Sequence, residues 1–563
     1  MNKKRLFLLG FFTIMFVTGT ILIFTTPQNI KITYGLTTQT EDGVTIVFNV
    51  FEPKGGAEKM KAVIIGHGGM ATKEFLKGYA IELANAGFLV VNFDFRAHGQ
   101  SGGELRFELL INDIKAIKQY LSSRADVDIH NLTYIGYSMG GYPGNQIVKN
   151  DTDFKCFIGI GTALPYGDYL PDYVVPANSS RKLNILMILA RFDEAISLEE
   201  LKEGMALRLG MMASEVDVNR LYGSFQAGNA SMIYLDDNSD HLLLCWDEDF
   251  IRESRDWIIN SFPDVEILDE NFYANLRGVI LLLQIIGGIG LFFLIIDPLS
   301  KFIVNPKEED IHKIELPGET INSIIKKTIV YSFLFGVPGA IIMSPLLIFL
   351  PLTIAGVMSV LLFSQAFGVL ILLWRMGKKA NLTFKDILKA PFRGSKIQLL
   401  RQIGFGAILA TILYLIIYVS FGLNYMGMVP GLSKIPWVPI YFAANLFTLL
   451  IFSSLAQFVV QSKFEEERGP LKTIVLTFGA IMLYLGSLIT GFCIALGNYF
   501  VMIFLYIITP LSLLIAAVLV VSYQKTGNII MGAIVSTLYI TLLTCTLAPY
   551  MFILTSPVLI ISM

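Results

Sequence analysis

Charge is scarce in this chain. Asp, Glu, Lys and Arg make up 16% of its 563 residues, and the mean hydropathy is +0.61. Soluble domains carry roughly 25% charged residues, so a wholly soluble protein is excluded. The 43 basic and 45 acidic residues leave a formal net charge of −2, and no basic field offers itself to nucleic acid. Histidine is rarer still, at five residues, which leaves few candidates for imidazole chemistry. The four cysteines, at 156, 245, 493 and 545, lack metal-site spacing, and no metal or cofactor is expected. Cys156 and Cys245 fall in the polar part of the chain, where buried free thiols are expected rather than a disulfide.

Long apolar runs, by contrast, are abundant and unevenly placed. One covers Leu6 to Phe24, behind Lys3-Lys4-Arg5, and nothing comparable follows for about 250 residues. From Gly278 onward, spans are expected near 278–297, 328–350, 352–374, 402–423, 437–461, 473–494, 498–522 and 529–549. Each is close to the roughly 20 residues that cross a bilayer. Phe24-Thr25-Thr26-Pro27 has no small-x-small cleavage pattern, so the first run reads as an uncleaved anchor. The chain therefore divides into an anchor (1–27), a polar domain (28–262), a linker (263–277) and an all-α multi-span domain of about eight helices (278–563).

Basic residues concentrate in cytoplasmic loops near span ends. Lys3, Lys4 and Arg5 put the N-terminus inside and residues 28–270 outside. The later loops agree: 298–327, 375–401 and 462–472 are rich in Lys and Arg, whereas 424–436 has only Lys434 and Gly497-Asn498 has none. The expectation is a multi-pass cell-membrane protein with its polar domain on the extracytoplasmic side. Residues 328–374, 402–433, 473–524 and 528–563 contain no Asp, Glu, Lys, Arg or His, which counts against an ion-coupled pump. Gln365, Asn445, Gln457 and Asn498 are the main polar residues there, and interhelical hydrogen bonding is their simplest role.

The polar domain alternates strands and helices. Val44, Ile46, Phe48 and Val50 alternate with their neighbours as in a half-buried strand. Continuous apolar strands are expected at 61–66, 88–93, 132–135, 157–160, 185–189 and 232–235, with helices near 75–86 and 107–122. Such runs imply a mostly parallel sheet covered on both faces. Residues 163–180 read equally as a cap over an apolar pocket or as a surface loop, and 198–225 as helical cap or peripheral core.

One motif carries chemistry. Gly136-Tyr-Ser138-Met139-Gly140 directly follows a short apolar strand, the context in which G-x-S-x-G is a nucleophile elbow. Asp193 and His241 follow later strands, giving the chain order Ser, Asp, His that this fold requires. A serine hydroxyl needs an imidazole to take its proton, and the imidazole needs an acceptor to fix its tautomer. Glu194, Asp236, Asp237 and Asp240 compete with Asp193 for that second task. A tetrahedral oxyanion needs two backbone N–H donors. Met139 supplies one, and the other comes from His67-Gly68-Gly69-Met70, with Gly69 ahead of Met70.

These pieces, together with Asp94-Phe-Arg96-Ala97-His98-Gly99-Gln-Ser101-Gly102, resemble the α/β-hydrolase superfamily, near its serine aminopeptidase and monoglyceride-lipase-like branch. The resemblance covers roughly 28–262. It implies an α/β sheet sandwiched by helices, a serine nucleophile, and ester, amide or peptide substrates. It also implies that the stretch from Asp94 to Gly102 braces the site without joining the triad. Ala97 departs from the Gly common in relatives. His67 and His98 are expected to be structural, and His130 and His312 solvent-facing. The expected function is a membrane-bound serine hydrolase cleaving ester bonds of a small-molecule or lipid acyl substrate beside membrane lipids. The alternatives are a peptidase or amidase of the same fold, and a transport or receptor-like protein whose ectodomain only binds ligands.

Overall fold

The computed structural model describes residues 3–164, 174–306, 312–316, 318–463, 469–497 and 500–552. Two compact units emerge. One comprises Thr18–Leu282 with Val419–Ser433, and the other Met1–Val17, Leu283–Tyr418 and Lys434–Met563.

The first unit is built on eight strands: β1 (Ile30–Gln39), β2 (Thr45–Pro53), β3 (Met60–Gly66), β4 (Leu89–Phe93), β5 (Val127–Tyr137), β6 (Phe154–Ile160), β7 (Asn184–Phe192) and β8 (Ser231–Asp240). Their order is β1-β2-β4-β3-β5-β6-β7-β8. β2 runs antiparallel to both of its neighbours, and β3 to β8 are parallel. The parallel strands are buried over most of their length because helices cover both faces. β1 has no counterpart among the expected strands. It is a largely exposed edge strand, broken by an irregularity between Thr33 and Leu36 where Gly35 takes φ +69°. Polar side chains and a break of this kind suit an edge.

The helices of this unit begin with the end of α1 (Lys3–Thr25) and continue with α2 (Lys77–Asn85), α3 (Leu110–Ser122), α4 (Gly141–Asn150), α5 (Leu198–Leu209) and α6 (Glu248–Ser261). Ser197 and Glu200 form a reciprocal capping box at the start of α5, and Gly210 ends it in the left-handed conformation. The expected helical run over 198–225 therefore stops at Leu209, and irregular chain follows. Half of the expected cap, residues 165–173, lies outside the described residues.

The second unit contains α7 (Ala274–Ile303), which starts in the first unit, then α8 (Ile321–Met343), α9 (Thr353–Lys378), α10 (Phe384–Lys389), α11 (Lys396–Ile417), α12 (Val438–Ser453), α13 (Gly469–Leu496), α14 (Phe504–Thr526) and α15 (Ile530–Leu547). Among the described residues, nine helical segments, α1 included, are long and apolar enough to cross a membrane. This is a multi-pass membrane architecture. Several helices outrun the apolar stretches that announced them. α7 carries Asp297 inside the helix, where Arg5 donates to it and Lys301 and Lys525 lie at 3.3 and 3.7 Å. Lys434 is buried and donates to the carbonyls of Thr546 and Ala548, at 3.0 and 2.7 Å, beside the C-terminus of α15. Within this unit, Arg5 and the start of the 298–327 loop, both expected on one side of the membrane, thus come together. Asn445 bridges helices, accepting from Ser359 Oγ at 3.3 Å and donating to Thr541 Oγ1 at 3.1 Å. Asn498 lies outside the described residues. All four cysteines are buried and form no disulfide.

Candidate active site

Each expected site residue stands beyond the carboxyl end of a parallel strand, where open α/β sheets place their ligands. Ser138 follows β5, Asp193 follows β7, His241 follows β8, and Gly69 lies three residues past β3.

Ser138 holds φ +49°, a left-handed conformation that costs a non-glycine residue roughly 1–2 kcal/mol. The turn leaves no room on either side of it. A Cβ on Gly136 would meet the carbonyl oxygen of Gly140 at 2.6 Å, and one on Gly140 would meet that of Gly66 at 2.6 Å. Gly136 is thus fixed by the turn folding back on it and Gly140 by the turn's close approach to β3, and Ser138 is thrust clear of the sheet.

His241 Nε2 lies 2.9 Å from Ser138 Oγ, and His241 Nδ1 lies 2.9 Å from both carboxyl oxygens of Asp193. The Asp193 and His241 side chains are 1% and 2% exposed. A carboxylate only accepts, so Nδ1 carries the proton and Nε2 is left to accept from the serine hydroxyl. Asp193 is held in turn by the N–H groups of Ala195 and Ile196, both at 2.9 Å. Two of the rival carboxylates have other partners. Glu194 accepts from the backbone N–H of His241 at 3.3 Å, and Asp240 accepts from the N–H groups of Leu242 and Leu243 at 3.0 Å. Burial raises the Glu194 carboxyl above its ordinary range.

Met139 is the first residue after the nucleophile, in a single tight turn (Ser138–Gly140) that leads into α4. Gly68 packs on the elbow: a Cβ there would lie 2.8 Å from the Tyr137 ring and 3.0 Å from Ser138 Cβ. Gly69, the next residue, is exposed and faces open space, and Met70 turns the chain at φ +55°. The loop of the expected second oxyanion donor therefore runs directly beside Ser138.

His67 and His98 brace this loop. His67 Nε2 accepts from the N–H of Phe95 at 3.0 Å and Nδ1–H donates to Gly68 O at 2.6 Å. His98 Nδ1–H donates to Arg96 O at 3.0 Å. Asp94, fully buried, accepts from Lys73 N, Lys73 Nζ and Gln100 N at 2.8, 2.7 and 2.9 Å. Burial alone would raise the Asp94 carboxyl, but the Lys73 ammonium and these donors hold it below the ordinary carboxylate range. Its stabilising contribution is present above the unfolded carboxylate pKa and is lost as pH falls through the lower folded value. Breaking a buried pair on one side costs about 3–5 kcal/mol, so Asp94→Asn should lower the unfolding free energy by about that much in a denaturant titration. Arg96 is also buried, and pairs with Asp42 at 2.7 Å and Asp113 at 2.8 Å. Ala97 stands at φ +69°, a conformation that glycine adopts without steric cost.

Two supporting residues had no sequence signal beyond their types. Tyr137 donates to the carbonyl of His241 at 2.9 Å. Gly161, at φ +51° after β6, leaves space for the imidazole: a Cβ there would lie 3.0 Å from His241 Cε1. His130 is a surface residue 2.8 Å from Asp153. His312, expected in solvent, is half-buried against the Phe458 ring.

This sheet, with a serine elbow after β5 and acid and histidine after later strands, is an α/β-hydrolase fold. Residues 57–208 match the family described as serine aminopeptidase, S33. The chain is 32% identical over 107 residues to the uncharacterized protein YcjY of Escherichia coli, covering 18% of this chain and 35% of that protein. It is 28% identical over 102 residues to the uncharacterized protein Rv2307c of Mycobacterium tuberculosis, covering 18% and 36%. It thus spans about a third of the length of these curated relatives. Among solved structures, the Pyrococcus furiosus esterase Pf2001 aligns with TM-score 0.32 and 18% identity, over 41% of this chain and 92% of that one. Est1E from Butyrivibrio proteoclasticus, with ferulic acid bound, aligns with TM-score 0.32 and 15% identity, over 40% and 100%.

Proposed function

We propose that this protein is a membrane-held serine hydrolase that cleaves carboxylic esters through an acyl-enzyme on Ser138. The observation that carries this reading is the continuous relay from Ser138 Oγ through His241 to Asp193, each link at 2.9 Å. As Oγ bonds to the substrate carbonyl carbon, its proton passes to His241 Nε2, and Asp193 stabilises the resulting imidazolium. The oxyanion is held by the N–H groups of Met139 and Gly69. When the intermediate collapses, the bond to the alcohol oxygen breaks and His241 returns the proton to it. Water then repeats the sequence on the acyl group, releasing the acid and restoring Ser138.

Attachment to a membrane supports an apolar acyl or lipid ester as substrate, and so does Phe192, 61% exposed one residue before Asp193. The basic-loop pattern supports an extracytoplasmic hydrolase. The folding of residues 419–433 with the hydrolase fits this, because 424–436 is a loop expected on that same side. A second reading, peptide or amide cleavage, is favoured by the description of the matching family as a serine aminopeptidase. Purified full-length protein assayed on p-nitrophenyl esters of increasing acyl length and on aminoacyl p-nitroanilides separates the two. The expected result is ester turnover that rises from acetyl to medium chains. Faster anilide than ester turnover would move the assignment to a peptidase.

A further inference from the structure

Residues 419–433 link α11 to α12, yet they fold with the hydrolase. The Gly427 N–H donates to Thr72 Oγ1 at 3.0 Å across 355 positions of sequence. The Gly431 N–H donates to Gly99 O at 2.8 Å. Lys77, buried in α2, donates to Leu423 O and Asn424 Oδ1, each at 2.9 Å. The Phe421 and Tyr425 rings stand edge-on to Trp246, each at 6.5 Å. Contact is close enough to demand glycine twice. A Cβ on Gly427 would meet Thr72 Oγ1 and Glu74 Oε2 at 2.8 Å, and one on Gly431 would meet Ser101 O at 2.9 Å.

The loops that receive these contacts border the nucleophile. Thr72 stands two residues after Met70, the left-handed turn of the oxyanion loop. Gly99 to Ser101 belong to the bracing stretch, tied to that loop through Asp94, Lys73 and Gln100. A non-glycine residue at positive φ persists only where its surroundings over-determine it. On the Met70 side, Thr72 is fully buried, and its hydroxyl is engaged by Gly427.

We propose that the 419–433 segment is a positioning element for the oxyanion loop: Gly427, acting through Thr72, holds the Gly69–Met70 backbone where the oxyanion forms. This rests on the serine-hydrolase reading. It assigns the link between two spans a part in catalysis without any contact to substrate, and it makes the hydrolase depend on chain contributed by the membrane half.

The test uses full-length protein in detergent. Thr72→Val removes the acceptor while keeping the shape, Thr72→Ser retains the hydroxyl, and Leu432→Ala changes an exposed position on the same segment. Losing a whole oxyanion donor costs about 10²–10³ in kcat, so a displaced one should cost about 10–100-fold. Thr72→Val is expected to lower kcat on a p-nitrophenyl ester by that factor with KM within about twofold, and to weaken a trifluoromethyl ketone, whose adduct carries the oxyanion, by the same factor. Thr72→Ser should recover most of the loss, and Leu432→Ala should match wild type. Independently of activity, amide hydrogen exchange of a peptide covering residues 68–76 should quicken in Thr72→Val. Unchanged kcat and unchanged exchange in folded Thr72→Val would overturn the positioning role while leaving the triad intact. Equal losses in substrate and ketone binding would reduce it to ordinary packing. Wild type that neither turns over ester nor binds the ketone would instead defeat the hydrolase reading beneath it.

Discussion

Ser138→Ala is expected to lower kcat on the preferred ester by about 10⁴–10⁶-fold, with KM little changed. On the proposed mechanism this hydroxyl is the group that forms the acyl-enzyme. The fold around it does not depend on it, because the turn is fixed by the packing of Gly136 on Gly140 and of Gly140 on β3. Alanine at φ +49° meets the same backbone strain as serine, so the thermal midpoint should stay within a few degrees. Steady-state kinetics alongside a thermal melt check both halves. Retention of more than a hundredth of the wild-type kcat in a folded variant would assign the nucleophile elsewhere.

Asp193→Asn should cost about 10⁴ in kcat. The amide offers N–H as well as oxygen, and the N–H groups of Ala195 and Ile196 already claim the oxygen at 2.9 Å. The asparagine NH₂ is therefore turned toward His241 Nδ1, which must then accept, and the imidazole proton moves to Nε2, where it faces Ser138 with the wrong polarity. The loss should lie in kcat, and it should shrink at high pH, where hydroxide substitutes for the absent base. The rival carboxylates make the comparison sharp. Asp240→Asn should act mainly on stability, because Asp240 caps the turn that carries Leu242 and Leu243 and does not reach the imidazole through any of its hydrogen bonds. If Asp240→Asn were the more damaging to kcat, Asp193 would not be the acid.

Much of this was legible in sequence where one physical rule acted alone. Continuous apolar runs gave β3, β4, β6 and β7, because strands covered on both faces have no polar side to show. Span number followed from length and hydropathy. Span ends did not, since α7 continues past its apolar stretch and buries the charge of Asp297 against Arg5. β1 was hidden by its edge position, where half its side chains are polar and Gly35 breaks the alternation. α4 was hidden by its own composition: it opens on Gly141 and contains Pro143 and Gly144, poor helix formers, and it forms because Gly141 and Gly144 allow close packing on Thr162 and Tyr134. In the site, chain order pointed to Asp193 and His241 among several nearby carboxylates, and the structure adds the hydrogen bonds of His241 Nδ1–H to Asp193 and of the Leu242 and Leu243 N–H groups to Asp240. The Gly427–Thr72 contact had no sequence signal, because its partners lie in segments of opposite character and 355 positions apart.

The membrane half therefore contributes more than an anchor to the folded hydrolase unit, since residues 419–433 supply two of its glycine contacts and two acceptors for the buried Lys77. A hydrolase fragment cut at residue 282 would leave Lys77 without those acceptors and expose Trp246. Full-length protein is accordingly the proper material for every experiment above.

The most direct test of a serine hydrolase built on Ser138 is covalent labelling of the full-length protein in membranes with a fluorophosphonate probe, followed by mapping of the modified peptide. The expected result is one stoichiometric adduct on Ser138, absent in Ser138→Ala and strongly slowed in His241→Ala. Labelling that persists in Ser138→Ala, or folded wild type that takes no label, would contradict it, the latter leaving a hydrolase-like domain that only binds its ligand.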